Sequence, residues 1–422
     1  MSTAPAAQPA AATASKPSPS TLIRIGVALI AGNLCWIAPF VAGVSVLVPA
    51  KLEIIAPAEK VEAVASLSVI GSVVALAANI LFGALSDRTR SRLGRRLPWL
   101  LIGSVGTSVC FVILPHMDSA RGIILVWCVF QGFLNAIVAP LVAIIPDRVP
   151  ERMRGTFSAI YGVGTTVGSG IASIIASRFI TNPDSGFLLF AVVLLLAGPL
   201  VGLIAPDKSN RDAPRAAFDR ETLLKNFSFP THNCRDFYLA VIGKLLFVLA
   251  MFCVTGYQLY IFTDHFLVSA DAAGSLIALM ATIQMVGSLV VTLVSGPLSD
   301  RVGRRKPLVV LASLIMAVAL ACLVVWKDPI AMLLFAVLGS GIAFGIYTAV
   351  DQALNYEVLP DPESAAKDLG IINMANTGGQ IIGPVVMSFA ITSLGGYTPG
   401  FVVAASAALA SAVLIGLIRS AR

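Results

Sequence analysis

Twelve stretches of this chain are apolar on every face and long enough to cross a bilayer, for which about 20 residues suffice. They fall near residues 22–49, 61–85, 97–115, 122–145, 155–178, 186–205, 237–261, 272–296, 307–326, 329–356, 369–391 and 398–418. In hydrocarbon every backbone N–H and C=O must be bonded inside the protein, and a helix does this within one segment. Barrel strands would alternate polar and apolar over about ten residues, and these segments do not alternate. Composition agrees. Only 12% of the 422 residues are charged, against about 25% in soluble domains, and the mean hydropathy is +0.89. The expected fold is all-α and integral to the membrane, with twelve transmembrane helices.

The charges gather at one end of these spans. With the N-terminus placed in the cytoplasm, 23 of the 29 Lys and Arg residues fall in inner segments. Five (Lys51, Lys60, Arg121, Arg178 and Lys327) fall in outer loops, and Lys244 lies within a span. This positive-inside bias predicts a multi-pass protein of the plasma (inner) membrane with both termini cytoplasmic. The net charge of +7 therefore reports orientation, and no nucleic-acid partner is expected. Residues 1–20, rich in Ala, Pro, Ser and Thr, read as a disordered cytoplasmic tail. The apolar stretch behind them is too long for a signal peptide. Residues 206–236 form the longest polar interior segment, a cytoplasmic linker that divides a six-helix unit at 21–205 from a second at 237–422. Residues 216–227 fit a short amphipathic surface helix and an ordinary linker equally.

The six cysteines make no CxxC pair, and five lie inside apolar stretches, so they read as small core hydrophobes. His116, His232 and His265 fall in loops far apart. No nucleophile motif, phosphate loop or metal-ligand spacing is present. No enzymatic activity, cofactor or metal site is expected.

An internal repeat is written into two loops. Residues 83–96 read GALSDRTRSRLGRR, and residues 296–306 read GPLSDRVGRRK. Gly83, Leu85, Ser86, Asp87 and Arg88 match Gly296, Leu298, Ser299, Asp300 and Arg301 at an offset of 213. Pro146-Asp147 echoes Pro360-Asp361 at an offset of 214. Two features at nearly one offset, between corresponding spans, mean duplication. Glycine at a helix end allows close approach or a left-handed turn. A carboxylate beside it can hold an Arg or nearby N–H groups, and the Arg cluster anchors at the anionic inner leaflet. Gly83, Asp87, Arg88, Arg95, Gly296, Asp300, Arg301 and Arg304 are thus candidates for a conformational latch.

These loops resemble the signature of the major facilitator superfamily. The longer first copy, SDRTRSRLGRR before Pro98, is similar to the sucrose/proton symporter-like and glycoside–pentoside–hexuronide cation symporter branches, as is the stretch 351–380. The resemblance implies two pseudo-symmetric six-helix bundles, a central cavity and alternating access. It also implies that spans 1, 4, 7 and 10 line that cavity. Polar groups there are candidates for solute binding, because facing lipid is costly. They are Asn33 and Trp36 in span 1, Gln131 and Asn135 in span 4, Thr255 and Gln258 in span 7, and Tyr347 in span 10. Asn373 and Asn376 in span 11 join them. Amides donate and accept, which fits polyols, while each one alone also fits an interhelical bond.

Lys244 lies eight residues past Asp236, and Asp351 nine before Pro360. Both are then about 12–14 Å deep at 1.5 Å per residue, on two cavity helices of one half. They are read as an ion pair or proton-responsive pair; the alternative is independent snorkelling. Gly164 and Gly168 form a GxxxG that predicts close helix packing. The leading expectation is a secondary transporter of a small organic solute, a sugar or glycoside, by proton symport, acting as a monomer. Proton or another cation and the lipid bilayer are its other expected partners. The alternative is proton-coupled efflux of an amphipathic drug or metabolite.

Overall fold

The computed structural model describes residues 18–207, 209–211, 230, 234–302, 304–360 and 365–419, without the side chains of 296–300, 302, 352 and 365–367. Residues 1–17 of the expected tail, most of the linker and the segment 216–227 lie outside the described residues; Ser18–Ser20, expected in the tail, instead cap and open the first helix. Among those described there is no strand, and there are twelve long helices: α1 Pro19–Ile55, α2 Lys60–Arg88, α3 Leu97–His116, α4 Ala120–Arg148, α5 Glu151–Phe179, α6 Pro183–Ile204, α7 Arg235–Thr255, α8 Ala270–Val302, α9 Lys306–Val325, α10 Ile330–Glu357, α11 Ala365–Ser393 and α12 Tyr397–Gly416. Eleven are long and apolar enough to cross a membrane. The remaining one, α11, has 29 residues but carries Asn373, Asn376, Thr377 and Gln380.

Local chemistry sets the helix starts. Ser18 accepts from the Thr21 N–H with Pro19 at the first helical position, and Ser119 accepts from Gly122. Asn182 accepts from Ser185 ahead of Pro183. Each side chain satisfies a donor that the first turn leaves orphaned, and proline there gives up an N–H that had no partner. Pro98 opens α3 and Pro307 opens α9 in the same way.

The packing repeats with the duplication. In the first half α1 packs on α5 and α6, α2 on α4, and α3 on α4 and α6. In the second, α7 packs on α11 and α12, α8 on α10, and α9 on α10 and α12. Adding six to each index converts one set into the other. The halves meet through α2 against α11 and α5 against α8, a pair of contacts that the same operation interchanges. Lipid is as apolar as a leucine surface, so helices associate through close approach rather than through hydrophobic exclusion. The GxxxG of α5 supplies this: a β-carbon at Gly164 would stand 3.1 Å from Asn33 Nδ2, and one at Gly168 only 2.6 Å from Ile37.

One span departs from expectation. The reading 237–261 treats span 7 as continuous, but α7 ends at Thr255. The chain turns at Gly256 and Tyr257, forms one turn at Gln258–Tyr260, and then widens into a π-turn at Ile261–His265. Gln258 therefore does not share a continuous helical face with Lys244, whereas Thr255, at the end of α7, does.

Candidate functional site

Lys244 and Asp351 join α7 to α10. Lys244 Nζ donates to Asp351 Oδ2 at 2.6 Å, with side chains 11% and 10% exposed. Asn355 Nδ2 donates to the same carboxylate oxygen at 2.9 Å. Tyr347, Asp351 and Asn355 are spaced four apart, so they stack on one face of α10. Phe247 stacks on Tyr347 with ring centroids 3.9 Å apart and planes 7° from parallel. Backbones of α7 and α10 scarcely approach each other, so side chains make the junction. The Tyr347 hydroxyl faces the Asp351 carboxylate from one turn away. Asn355 Oδ1 is buried without a hydrogen-bond partner. Sequence reasoning missed Asn355 and Phe247, although the four-residue spacing from Asp351 pointed to the first.

The other expected binding residues divide. Asn33 is fully enclosed and donates to the Tyr161 carbonyl at 2.7 Å and to Thr165 Oγ1 at 2.9 Å. Its amide nitrogen ties α1 to α5, while Asn33 Oδ1 is enclosed without a hydrogen-bond partner. Trp36 is half-buried, and its indole N–H donates to the Tyr161 hydroxyl at 3.2 Å. Trp36, Phe40 and Trp127 form an aromatic series with neighbouring centroids 6.3 and 6.2 Å apart. Gln131 and Asn135 are buried together. Asn135 Nδ2 donates to the Gln131 carbonyl, and Asn135 Oδ1 accepts from Asn79 of α2. Thr255 donates to Met251 O within its own helix. Asn376 is half-buried and Asn373 exposed on α11.

Gln258 belongs to a different structure. At the end of the molecule opposite the basic loops, the segment after the α7 break bonds the first half. Gln258 Nε2 lies 3.4 Å from Ser45 O, and Tyr260 OH donates to Pro49 O at 2.9 Å. Tyr257 OH lies 3.0 Å from Val61 O and 3.1 Å from Pro384 O. Pro49 has no N–H to offer the Ser45 carbonyl, which accepts across the junction. Lys60 completes the contact, 2.8 Å from Asp264 and also bonded to Glu53, with its ammonium 4.7 Å from the Tyr260 ring centre. Gln258 is thus placed at the junction between the halves. A cleft of about 440 Å³ lies at this same end, between Ser177–Thr181 and Ala270–Ala278.

At the basic end each half has its own clasp. Arg96, only 6% exposed, is the hub of the first. Its guanidinium donates to Asp147 through Nε and Nη2 at 2.9 and 2.8 Å, to Asp87 at 2.6 Å, and to Ser86. Arg95 also bonds Asp147. The second clasp pairs Arg305 with Glu357 at 2.8 Å. Arg96 and Arg305 are both the second arginine of Gly-Arg-Arg, and each reaches a carboxylate at the end of the fourth helix of its half. Arg96, Arg305 and Asp147 were missed as latch residues; the Pro-Asp echo was the available signal for Asp147. Asp87 is half-exposed at the rim, and Arg88, Arg301 and Arg304 are exposed. Gly83 is corrected. It sits inside α2, and a β-carbon there would meet nothing within 4 Å. The left-handed glycine of this loop is Gly94, at φ +81°. The side chain of Asp300, like position 296, lies outside the described residues.

The profile of the Major Facilitator Superfamily matches residues 34–271 and 241–422. No curated protein sequence matches the chain. Among solved structures, a mutant of the nucleoside transporter NupG superposes with a TM-score of 0.69 at 14% identity, covering 93% of this chain and 98% of that one. A D-xylose-proton symporter gives 0.68 at 15% identity, covering 94% and 98%. A bacterial homologue of the human lysosomal transporter Spinster, inward-facing and unoccupied, gives 0.63 at 16% identity, covering 95% of each chain. At these identities the likeness is one of fold.

Proposed function

Because the chain belongs to the Major Facilitator Superfamily, and so is a membrane transporter rather than an enzyme, we propose that it carries a small hydroxylated organic solute, such as a sugar or glycoside, by proton symport with alternating access. The observation that carries this reading is the buried Lys244–Asp351 pair bridging α7 and α10. A carboxylate this deep in a membrane helix is costly unless it has work to do. When Asp351 takes a proton its bond to Lys244 is lost, and with it the main tie between two helices whose backbones barely touch. Proton binding then alters the mobility of the helices that flank the solute.

The positive-inside bias puts the basic clasps and both termini in the cytoplasm, with the protein in the plasma membrane. In that orientation the bonds between halves at Tyr257, Gln258, Tyr260 and Lys60 close the outer face, and the state is inward-facing. The clasps brace each half separately as the halves rock. A single chain contains both halves and suffices as a monomer. The aromatic series of half-buried Trp36 and Phe40 with buried Trp127 favours a second reading, proton-coupled efflux of a flat amphipathic compound.

Uptake into proteoliposomes, with and without a pH gradient and across a panel of polar solutes and dyes, separates the two. Uphill accumulation of a polar solute when the outside is acid supports symport. Dye expulsion with indifference to every polar solute contradicts it.

A further inference from the structure

We infer that the cleft between α5 and α8 seats the head group of a membrane phospholipid that carries a phosphate and a primary ammonium, with Arg178 taking the phosphate and Asp271 the ammonium. The cleft holds about 440 Å³ at the end of the molecule opposite the basic loops. Its walls come from different halves. One is the end of α5 and the turn after it, with Ser177, Arg178 and Thr181. The other is the start of α8, with Asp271, Gly274 and Ser275. The walls touch where a β-carbon on Gly274 would stand 2.7 Å from the Ser177 carbonyl oxygen.

Arg178 and Asp271 are the charged side chains on this cleft, one on each wall. Both are exposed. Among the described residues neither makes an ion pair or a side-chain hydrogen bond, not even with the other. Opposite charges that face one cleft and do not meet leave room for a molecule bearing both signs. A guanidinium presents a planar fork that matches a phosphate. A carboxylate accepts N–H bonds, which a primary ammonium can donate and a trimethylammonium cannot. Ser275 Oγ donates to the Asp271 carbonyl at 3.3 Å, so its lone pairs are left for a further donor beside Asp271.

The surroundings select a lipid over a soluble zwitterion. Ile171, Ile175 and Arg178 are spaced four and three apart and share one face of α5, and both isoleucines are exposed. Asp271, Ser275 and Leu279 share a face of α8 in the same way, and Leu279 is exposed. These apolar surfaces lead from the cleft toward the middle of the membrane and give acyl chains a seat that a soluble molecule has no use for. Leu267, just before α8, is 83% exposed at φ +54°. Such a backbone is uncommon for a residue with a side chain, and a leucine held this far out gains by entering hydrocarbon. Because the walls belong to different halves, the seated lipid favours the state in which these ends of α5 and α8 stay together. That state binds the lipid better in return.

The test uses the full chain in nanodiscs holding equal amounts of phosphatidylethanolamine, phosphatidylcholine and phosphatidylglycerol. Native mass spectrometry counts the lipids that stay bound when the disc is stripped away. The expected result is about fivefold retention of phosphatidylethanolamine over each of the others, the upper range for an exposed charge pair. A phosphatidylethanolamine with a photoreactive acyl chain should label the peptides spanning 171–181 and 267–279, an arm that needs no variant. Asp271→Asn should turn the preference toward phosphatidylglycerol, because a lone cation remains. Arg178→Gln should weaken both lipids. Spin labels at exposed positions 118 and 327 should show a larger short-distance population with phosphatidylethanolamine than with phosphatidylcholine alone, and no such difference in Asp271→Asn. Equal retention of phosphatidylethanolamine and phosphatidylcholine overturns the inference. So does labelling confined to the basic end, or a preference for phosphatidylethanolamine that survives Asp271→Asn. Displacement of the bound lipid by soluble glycerophosphoethanolamine would make the occupant a soluble zwitterion and overturns the lipid assignment. None of these outcomes depends on which solute the chain carries.

Discussion

The two basic-end clasps are related by the repeat but not equal in energy, and Arg96→Ala against Arg305→Ala measures the difference. Arg96 is enclosed and its guanidinium serves Asp147, Asp87 and Ser86. Breaking a buried pair by removing one partner costs about 3–5 kcal/mol, because a charge is stranded. The structure argues for less here. Asp147 is 18% exposed and keeps Arg95, Asp87 is 53% exposed, and Ser86 still donates to Gly83 O. About 2–3 kcal/mol remains. Arg305 and Glu357 are 31% and 32% exposed, and such a pair contributes about 0–1 kcal/mol. For a unit of this size each kcal/mol moves Tm by about 2–4 °C, so Arg96→Ala should lower it by about 5–10 °C and Arg305→Ala by under about 4 °C. Buried Cys35, Cys110 and Cys253 report unfolding to a thiol-reactive dye in detergent. Equal shifts for the two variants, or a larger loss from Arg95→Ala than from Arg96→Ala, would refute the hub assignment.

Four further outcomes follow from the geometry. Removing the Tyr257 and Tyr260 hydroxyls together, as Tyr257→Phe with Tyr260→Phe, deletes two bonds of about 0.5–1.5 kcal/mol each and should shift the balance between states about 5- to 150-fold toward an open outer face. Spin labels at exposed positions 118 and 327 would then show a longer distance population, and an unchanged distribution would remove the junction from the account. Gly379→Ala should loosen α7 from α11, since the new β-carbon would sit 2.7 Å from the Leu245 carbonyl oxygen. Gly83→Ala should raise Tm slightly, by the helix preference of about 1 kcal/mol, and a large loss at Gly83 would show that the position needs glycine after all. Among the rings of Phe266, Tyr397 and Phe401, burial and then the nearby Lys327 hold His265 below its ordinary 6.5. The unfolded chain takes up a proton there more readily than the fold does, so this contribution is complete above about pH 6.5 and is lost as pH falls toward the lowered folded value. His265→Phe should flatten the acid side of the Tm profile, and parallel profiles would count against it.

Membrane chemistry made the fold legible. Length and apolarity located the helices within a few residues, because lipid leaves a segment no other way to bond its backbone. The repeated loop implied a six-helix symmetry, which recurs in the packing. The depth and opposite charge of Lys244 and Asp351 made that pair readable too. Tertiary chemistry stayed hidden. Asn33 looks like any polar cavity residue until α5 is seen to supply its acceptors. Gln258 finds its partner in the Ser45 carbonyl, far away in sequence. Between Arg95 and Arg96, identical in type and adjacent, only the turn into α3 decides which one is enclosed.

Coupled movement of solute and proton is the centre of the account, and proton flow can be watched directly. Proteoliposomes holding a pH-sensitive dye, with no gradient imposed, would receive a transported solute on the outside. Acidification of the interior in step with solute entry, abolished in Asp351→Asn while solute exchange continues, is the predicted result. Solute entry with a constant internal pH, or undiminished acidification in Asp351→Asn, would contradict it.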